Sequence, residues 1–114
     1  MAKAKEFPEF APATLDALIG DAKSPEDFVG LMRAIQKRLA ERMLAGELTA
    51  HLGYAPGEPK PEGQANHRNG ATPKTVLTDT GKVALEIPRD RDGSFRPQLV
   101  PTGVRRLQIG RAHV

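Results

Sequence analysis

The chain contains no cysteine, no tryptophan and a single tyrosine, and aromatic residues make up only 4% of its 114 positions. Without thiols, neither a disulfide framework nor a thiolate metal site can form, which suits a reducing compartment. No apolar run approaches the roughly 20 residues that a membrane helix requires, and the opening MAKAKEFPEF lacks the apolar centre of an export signal. A cytoplasmic protein with no membrane contact is expected. The P-loop and dinucleotide glycine patterns are both missing. His51, His67 and His113 do not fall at metal-ligand spacing.

Glycine and proline number 11 and 10. Much of the length is therefore turn or extended chain, and the supply of core-forming side chains is small for one domain. The formal charge of +3 is unevenly spread. Residues 1 to 22 hold two Lys against four acids, whereas residues 88 to 114 hold six Arg against two Asp. Positive charge at the far end suits contact with phosphate.

Residues 1 to 22 read as a loose leader with a short helix from Pro12 to Ile19. A helical region follows over 23 to 53. Ser24-Pro25-Glu26-Asp27 is a helix start: Ser caps orphan amides, Pro suits the first helical position, and the acids complement the positive helix end. Phe28, Leu31, Met32, Ile35, Leu39 and Met43 share one narrow arc of a helical wheel, while Leu44, Leu48 and Leu52 fall on another side. One straight helix cannot bury both sets against one partner, so a break is expected at Ala45-Gly46, compatible with a helix-turn-helix or a helical hairpin. Arg33 and Lys37 lie one turn apart, as phosphate contacts or as a solvated face on which Lys37 pairs with Glu41.

From 54 to 73 the composition shifts to a glycine- and proline-rich loop, within which His67-Arg68-Asn69-Gly70 is expected at an exposed turn with Arg68 on its tip. From 74 to 107 a β-hairpin is expected. Thr75 to Thr78 form one strand, Asp79-Thr80-Gly81 the turn, and Lys82 to Ile87 the second strand, its Val83, Leu85 and Ile87 alternating with Lys82, Ala84 and Glu86. Pro88 is expected to end that strand. Arg89, Asp90, Arg91 and Asp92 come next, then an Asp-Gly turn, Phe95, and the extended Arg96-Pro97-Gln98-Leu99-Val100-Pro101, a candidate third strand at an edge. The fold class is thus α+β: N-terminal helices, a loop, then a hairpin with an arginine-bearing extension, in an incomplete domain.

The run GKVALEIPRDRDGSFRPQLVP, preceded by His51-Leu52-Gly53-Tyr54 and Arg68-Asn69-Gly70 in that order, resembles the N-terminal region of mutator-type bacterial insertion-sequence transposases of the DDE superfamily. The resemblance extends from about Phe28 to Leu107. It implies a DNA transposase that recognises terminal inverted repeats and cuts and joins strands with an acidic triad holding divalent metal, magnesium in particular. In the family that triad lies C-terminal to the matched segment, so no residue of this chain inherits a catalytic role and no cofactor is assigned to it.

Asp90 and Asp92 sit between arginines at a turn, and the twelve-residue calcium pattern with its closing Glu is missing. The expectation is a truncated transposase whose own contribution is DNA binding, with Arg33, Lys37, Arg68, Arg89, Arg91 and Arg96 as the candidate contacts. The alternative is a small helical interaction or dimerisation module whose amphipathic stretch from Phe28 to Leu52 packs against a partner protein, a second copy of the chain in the case of a homo-oligomer. Residues 108 to 114, QIGRAHV, can be encoded by CAGATCGGAAGAGCACACGTC, which contains the opening of a common sequencing adaptor. They are read as adaptor-derived.

Overall fold

The computed structural model describes residues 5–7 and 9–106 of the chain. The QIGRAHV tail lies outside the described residues. Two helices precede an antiparallel hairpin: α1 (Pro12–Ile19), α2 (Pro25–Leu52), β1 (Arg68–Thr78) and β2 (Gly81–Asp90).

Helix α2 begins as its sequence dictates. Ser24 Oγ accepts the Asp27 amide at 3.0 Å, and Asp27 Oδ2 accepts the Ser24 amide at 3.2 Å, forming a reciprocal capping box in front of Pro25. The helix stops at Gly53, whose left-handed φ of 87° lets its amide close on the Thr49 carbonyl. Between those ends it runs unbroken for 28 residues, so the expected interruption at Ala45-Gly46, and the helix-turn-helix built on it, do not form. The reason lies in what is buried. Ala40, Leu44, Leu48 and Leu52 recur every four residues and alone make the packed face, so one straight helix suffices. The more apolar set is left outside, with Phe28 62%, Leu39 59% and Met43 58% exposed.

The hairpin packs under that face. Val76, Val83 and Leu85 are buried with Ala40, Leu44 and Val100, and Leu48, Leu52, Tyr54 and Phe95 form a second cluster beside them. Two strands alone are marginal in water, and α2 is what covers them. Three α2 side chains also latch, in chain order, onto the hairpin turn and β2. Arg33 donates to the Thr80 carbonyl, Lys37 Nζ to the Ala84 carbonyl at 2.7 Å, and Glu41 accepts the Glu86 amide at 2.9 Å. The step of four residues from Lys37 to Glu41 rises about 6 Å, close to the two-residue strand step of about 6.7 Å from Ala84 to Glu86. Further on, Glu47 accepts the amides of Gln98 and Leu99 at 2.6 and 3.0 Å.

Four strand details differ from the sequence reading. β1 begins at Arg68, inside the stretch expected as loop, with an irregular register between Arg68 and Ala71. β2 passes through Pro88 to Asp90. In a two-stranded sheet, a proline with no N–H to give is tolerated where its nitrogen faces outward. The reversal takes only Asp79 and Thr80, Gly81 being already paired with Thr78. Residues 95 to 100 pack by Phe95 and Val100 without becoming a third strand. It is Arg105 and Arg106 that reach β1, where the Leu77 amide donates to the Arg105 carbonyl at 2.7 Å.

Candidate nucleic-acid interface

The alternation set by Val83 and Leu85 breaks at the half-buried pair Ile87 and Pro88, so that in the run Arg89-Asp90-Arg91 the middle residue is the buried one. Asp90 points in and is 5% exposed, while Arg89 and Arg91 are exposed. Asp90 organises the loop beyond it. Its Oδ2 accepts Asn66 Nδ2 at 2.8 Å, Ser94 Oγ at 2.9 Å and the Ser94 amide at 3.2 Å, and its Oδ1 accepts the Phe95 amide at 3.2 Å. Asn66 Oδ1 in turn accepts the amides of His67 and Asp92. Burial works against the charge on Asp90, but the bonds from Asn66, Ser94 and Phe95 outweigh it and hold the carboxyl well below its ordinary range. The carboxylate stays ionised, and the loop carrying Arg91 and Arg96 is built on it.

His51 Nε2 lies 3.0 Å from Ser94 Oγ and 3.3 Å from Asp90 Oδ2. A nucleophilic triad requires the imidazole between the hydroxyl and the acid. Here Ser94 gives its hydrogen directly to Asp90, so the cluster fastens α2 to the loop and activates nothing. Metal chemistry fares no better, because the lone pairs of Asp90 are engaged and, among the described residues, no three His, Asp or Glu side chains converge as metal ligands. These residues do not fit an acidic metal centre, and no strand-cutting step follows from them.

The six candidate contacts divide by location. Arg33 and Lys37 face β2 as its latches, and the Lys37–Glu41 pair forms at 2.9 Å. Arg68 is not on an exposed tip. It is half-buried at the start of β1, donates through Nη2 to the Tyr54 carbonyl at 2.6 Å and Thr49 Oγ1 at 3.0 Å, and stands 5.1 Å over the Tyr54 ring. The stretch has no local apolar partner in sequence, so only the folded chain reveals that the Tyr54 ring and α2 receive it.

Arg89, Arg91 and Arg96 remain together at the far end of the hairpin. Arg89 and Arg96 line one cleft of about 380 Å³, along with Lys74, which sequence reasoning passed over because a lone lysine in a strand carries no signal. Arg89 donates to the Asn69 carbonyl and Arg96 to the carbonyls of Gly93 and Phe95. Carbonyls orient these side chains without cancelling their charge. Among the described residues the ion pairs lie elsewhere, at Lys37, Arg38, His51 and Arg106.

Fold and site together define an α+β module with one end set with uncompensated cations. Residues 12–112 match the family described as Transposase, Mutator family, and the chain belongs to that family. It is 45% identical over 95 residues to the transposase for insertion sequence element ISRM3 of Rhizobium meliloti (strain 1021), which covers 82% of this chain and 23% of that protein. Against the transposase for insertion sequence element IS905 of Lactococcus lactis subsp. lactis (strain IL1403) the figures are 44% over 64 residues, 56% of this chain and 16% of that one. A probable transposase for an ISRM3-like element of Sinorhizobium fredii (strain NBRC 101917 / NGR234) is 44% identical over 95 residues. The chain thus spans less than a quarter of the length of these curated relatives. No helix among the described residues is long and apolar enough to cross a membrane.

Proposed function

We propose that this chain is the DNA-binding portion of an insertion-element transposase, acting in the cytoplasm on the terminal inverted repeats of its element. In the intact protein, strand cutting and joining would fall to residues beyond the matched segment, with magnesium as the metal. The observation that carries the reading is the grouping of Lys74, Arg89 and Arg96 on one cleft, with Arg91 exposed just past β2, and with no carboxylate ion-pair partner for any of them among the described residues. Cations held this way meet phosphates and fix the protein on a duplex. Arg33, Lys37 and Arg68 act on the fold instead, by holding α2 and β1 in place.

Fluorescence anisotropy of the 114-residue chain on a labelled duplex, titrated across salt, tests the proposal. Binding through phosphates falls linearly with the logarithm of salt concentration. Tight binding that ignores salt, or no binding at low salt, contradicts it.

The outer face of α2 supports a second reading, self-association with another copy of this chain. Phe28, Leu39 and Met43 stand exposed opposite the buried Leu44 and Leu48. Two such helices crossing antiparallel near Ile35 would set Phe28 of each against Met43 of the other, with Leu39 between them on the seam. Sedimentation velocity over a concentration series is the measurement. A dimer that Leu39→Glu dissolves supports the reading, and a monomer at every concentration removes it.

A further inference from the structure

The cleft at the end of the hairpin has a composition that duplex backbone alone does not explain. Its lining is largely apolar, with Pro73, Ile87, Pro88 and Pro97 on it and Phe95 behind them, 9% exposed and packed against Leu48, Leu52 and Tyr54. Lys74, Arg89 and Arg96 stand on its lining as the cations. Lys74 Nζ rests 3.3 Å from the Pro101 carbonyl and Arg89 Nε 3.2 Å from that of Asn69, contacts that leave the charges uncancelled. The one carboxylate on the lining, Asp90, turns its oxygens to Asn66, Ser94 and Phe95. A volume of about 380 Å³ lies within the range of small-molecule sites.

A paired duplex offers phosphate oxygens to such a rim but hides the faces of its bases in the stack. An unpaired nucleotide offers both, an anion for the cations and a planar ring for the apolar, proline-rich lining. We infer that the cleft takes a single unpaired nucleotide at a DNA end, its base on the apolar lining and its phosphate among Lys74, Arg89 and Arg96. The inference rests on the DNA-binding reading and adds to it a preference for a particular feature of the DNA. An end whose last base is free fills the cleft, and a fully paired end leaves the apolar lining without a partner.

The test uses the full chain with two duplexes of one sequence, one blunt and one ending in an unpaired 2-aminopurine, at matched salt. Stacking on the lining is expected to tighten the second by about tenfold and to change the probe's fluorescence on binding. Lys74→Gln with Arg96→Gln should remove that preference with circular dichroism unchanged, while Arg91→Ala, outside the cleft, should weaken both duplexes equally. Equal salt-dependent affinity for the two, with a silent probe, overturns the inference and leaves DNA binding standing. Failure to bind either duplex overturns both.

Discussion

The carboxylate of Asp90 accepts donors from the Asn66 side chain, the Ser94 hydroxyl and two loop amides, all within 3.2 Å. Asparagine in its place keeps one acceptor oxygen and adds two hydrogens with no acceptor to meet. Asp90→Asn is expected to cost about 2–3 kcal/mol in urea denaturation at neutral pH. Because folding depresses the Asp90 pKa, its stabilisation is complete where the unfolded chain's Asp is ionised, and it is lost as pH falls below about 4 toward the folded value. The urea midpoint should therefore drop through that window in the wild type and less steeply in Asp90→Asn. Gly81 is a second such residue. Its φ is 112°, and a Cβ there would sit 3.1 Å from Arg33 Nη2 as that guanidinium reaches the Thr80 carbonyl. Gly81→Ala is expected to cost about 1–2 kcal/mol. Combined with Arg33→Ala its effect should be less than additive, since the collision is then gone. The role of Asp90 was not legible in the sequence, where an Asp between two Arg reads as one more surface charge. Its donors come from residue 66 and from residues 94 and 95, and only the register of the hairpin brings them together.

At the scale of the element, α2 separates hydrophobicity from burial. Leu48 is 2% exposed under the helix and Leu39 59% exposed on the opposite side. Leu48→Ala should cost about 2–4 kcal/mol by thermal or urea unfolding, and Leu39→Ala should stay within about 0.5 kcal/mol. The helix start at Ser24, the presence of the hairpin and the inward Val83 and Leu85 were readable, since caps and period-2 alternation are local signals. Which face of α2 would be covered was not readable. The Phe28-to-Met43 stripe is the more apolar of the two, but the latches at Arg33, Lys37, Glu41 and Glu47 bind β2 and the 98–99 segment along the other side. Polar residues that read as a solvated or phosphate-binding row are what select the buried face. Pro88 misled for a related reason, because a proline stops a strand only where its missing N–H is required by a neighbour.

Over the whole molecule, a 28-residue helix acts as the spine. Its inner face and polar latches fix a hairpin that carries Lys74, Arg89 and Arg96 on one cleft and Arg91 just beyond β2. The family was legible from three ordered motifs, and the structure adds physical reasons for several of their residues: His51 meets Asp90, Tyr54 receives Arg68, and the Arg-Asp-Arg run turns its acid inward and its bases outward. The cations divide into those that hold the fold, Arg33, Lys37 and Arg68, and those proposed above to meet DNA, Arg89, Arg91 and Arg96 with Lys74. The most direct test compares the salt slope of duplex binding for Arg91→Ala and for Lys37→Met, alongside their urea midpoints. Arg91→Ala should lower the slope by about 0.9 with stability unchanged, and Lys37→Met should lower stability and keep the slope. The reverse pattern, with Lys37 setting the slope and Arg91 the stability, would contradict that division.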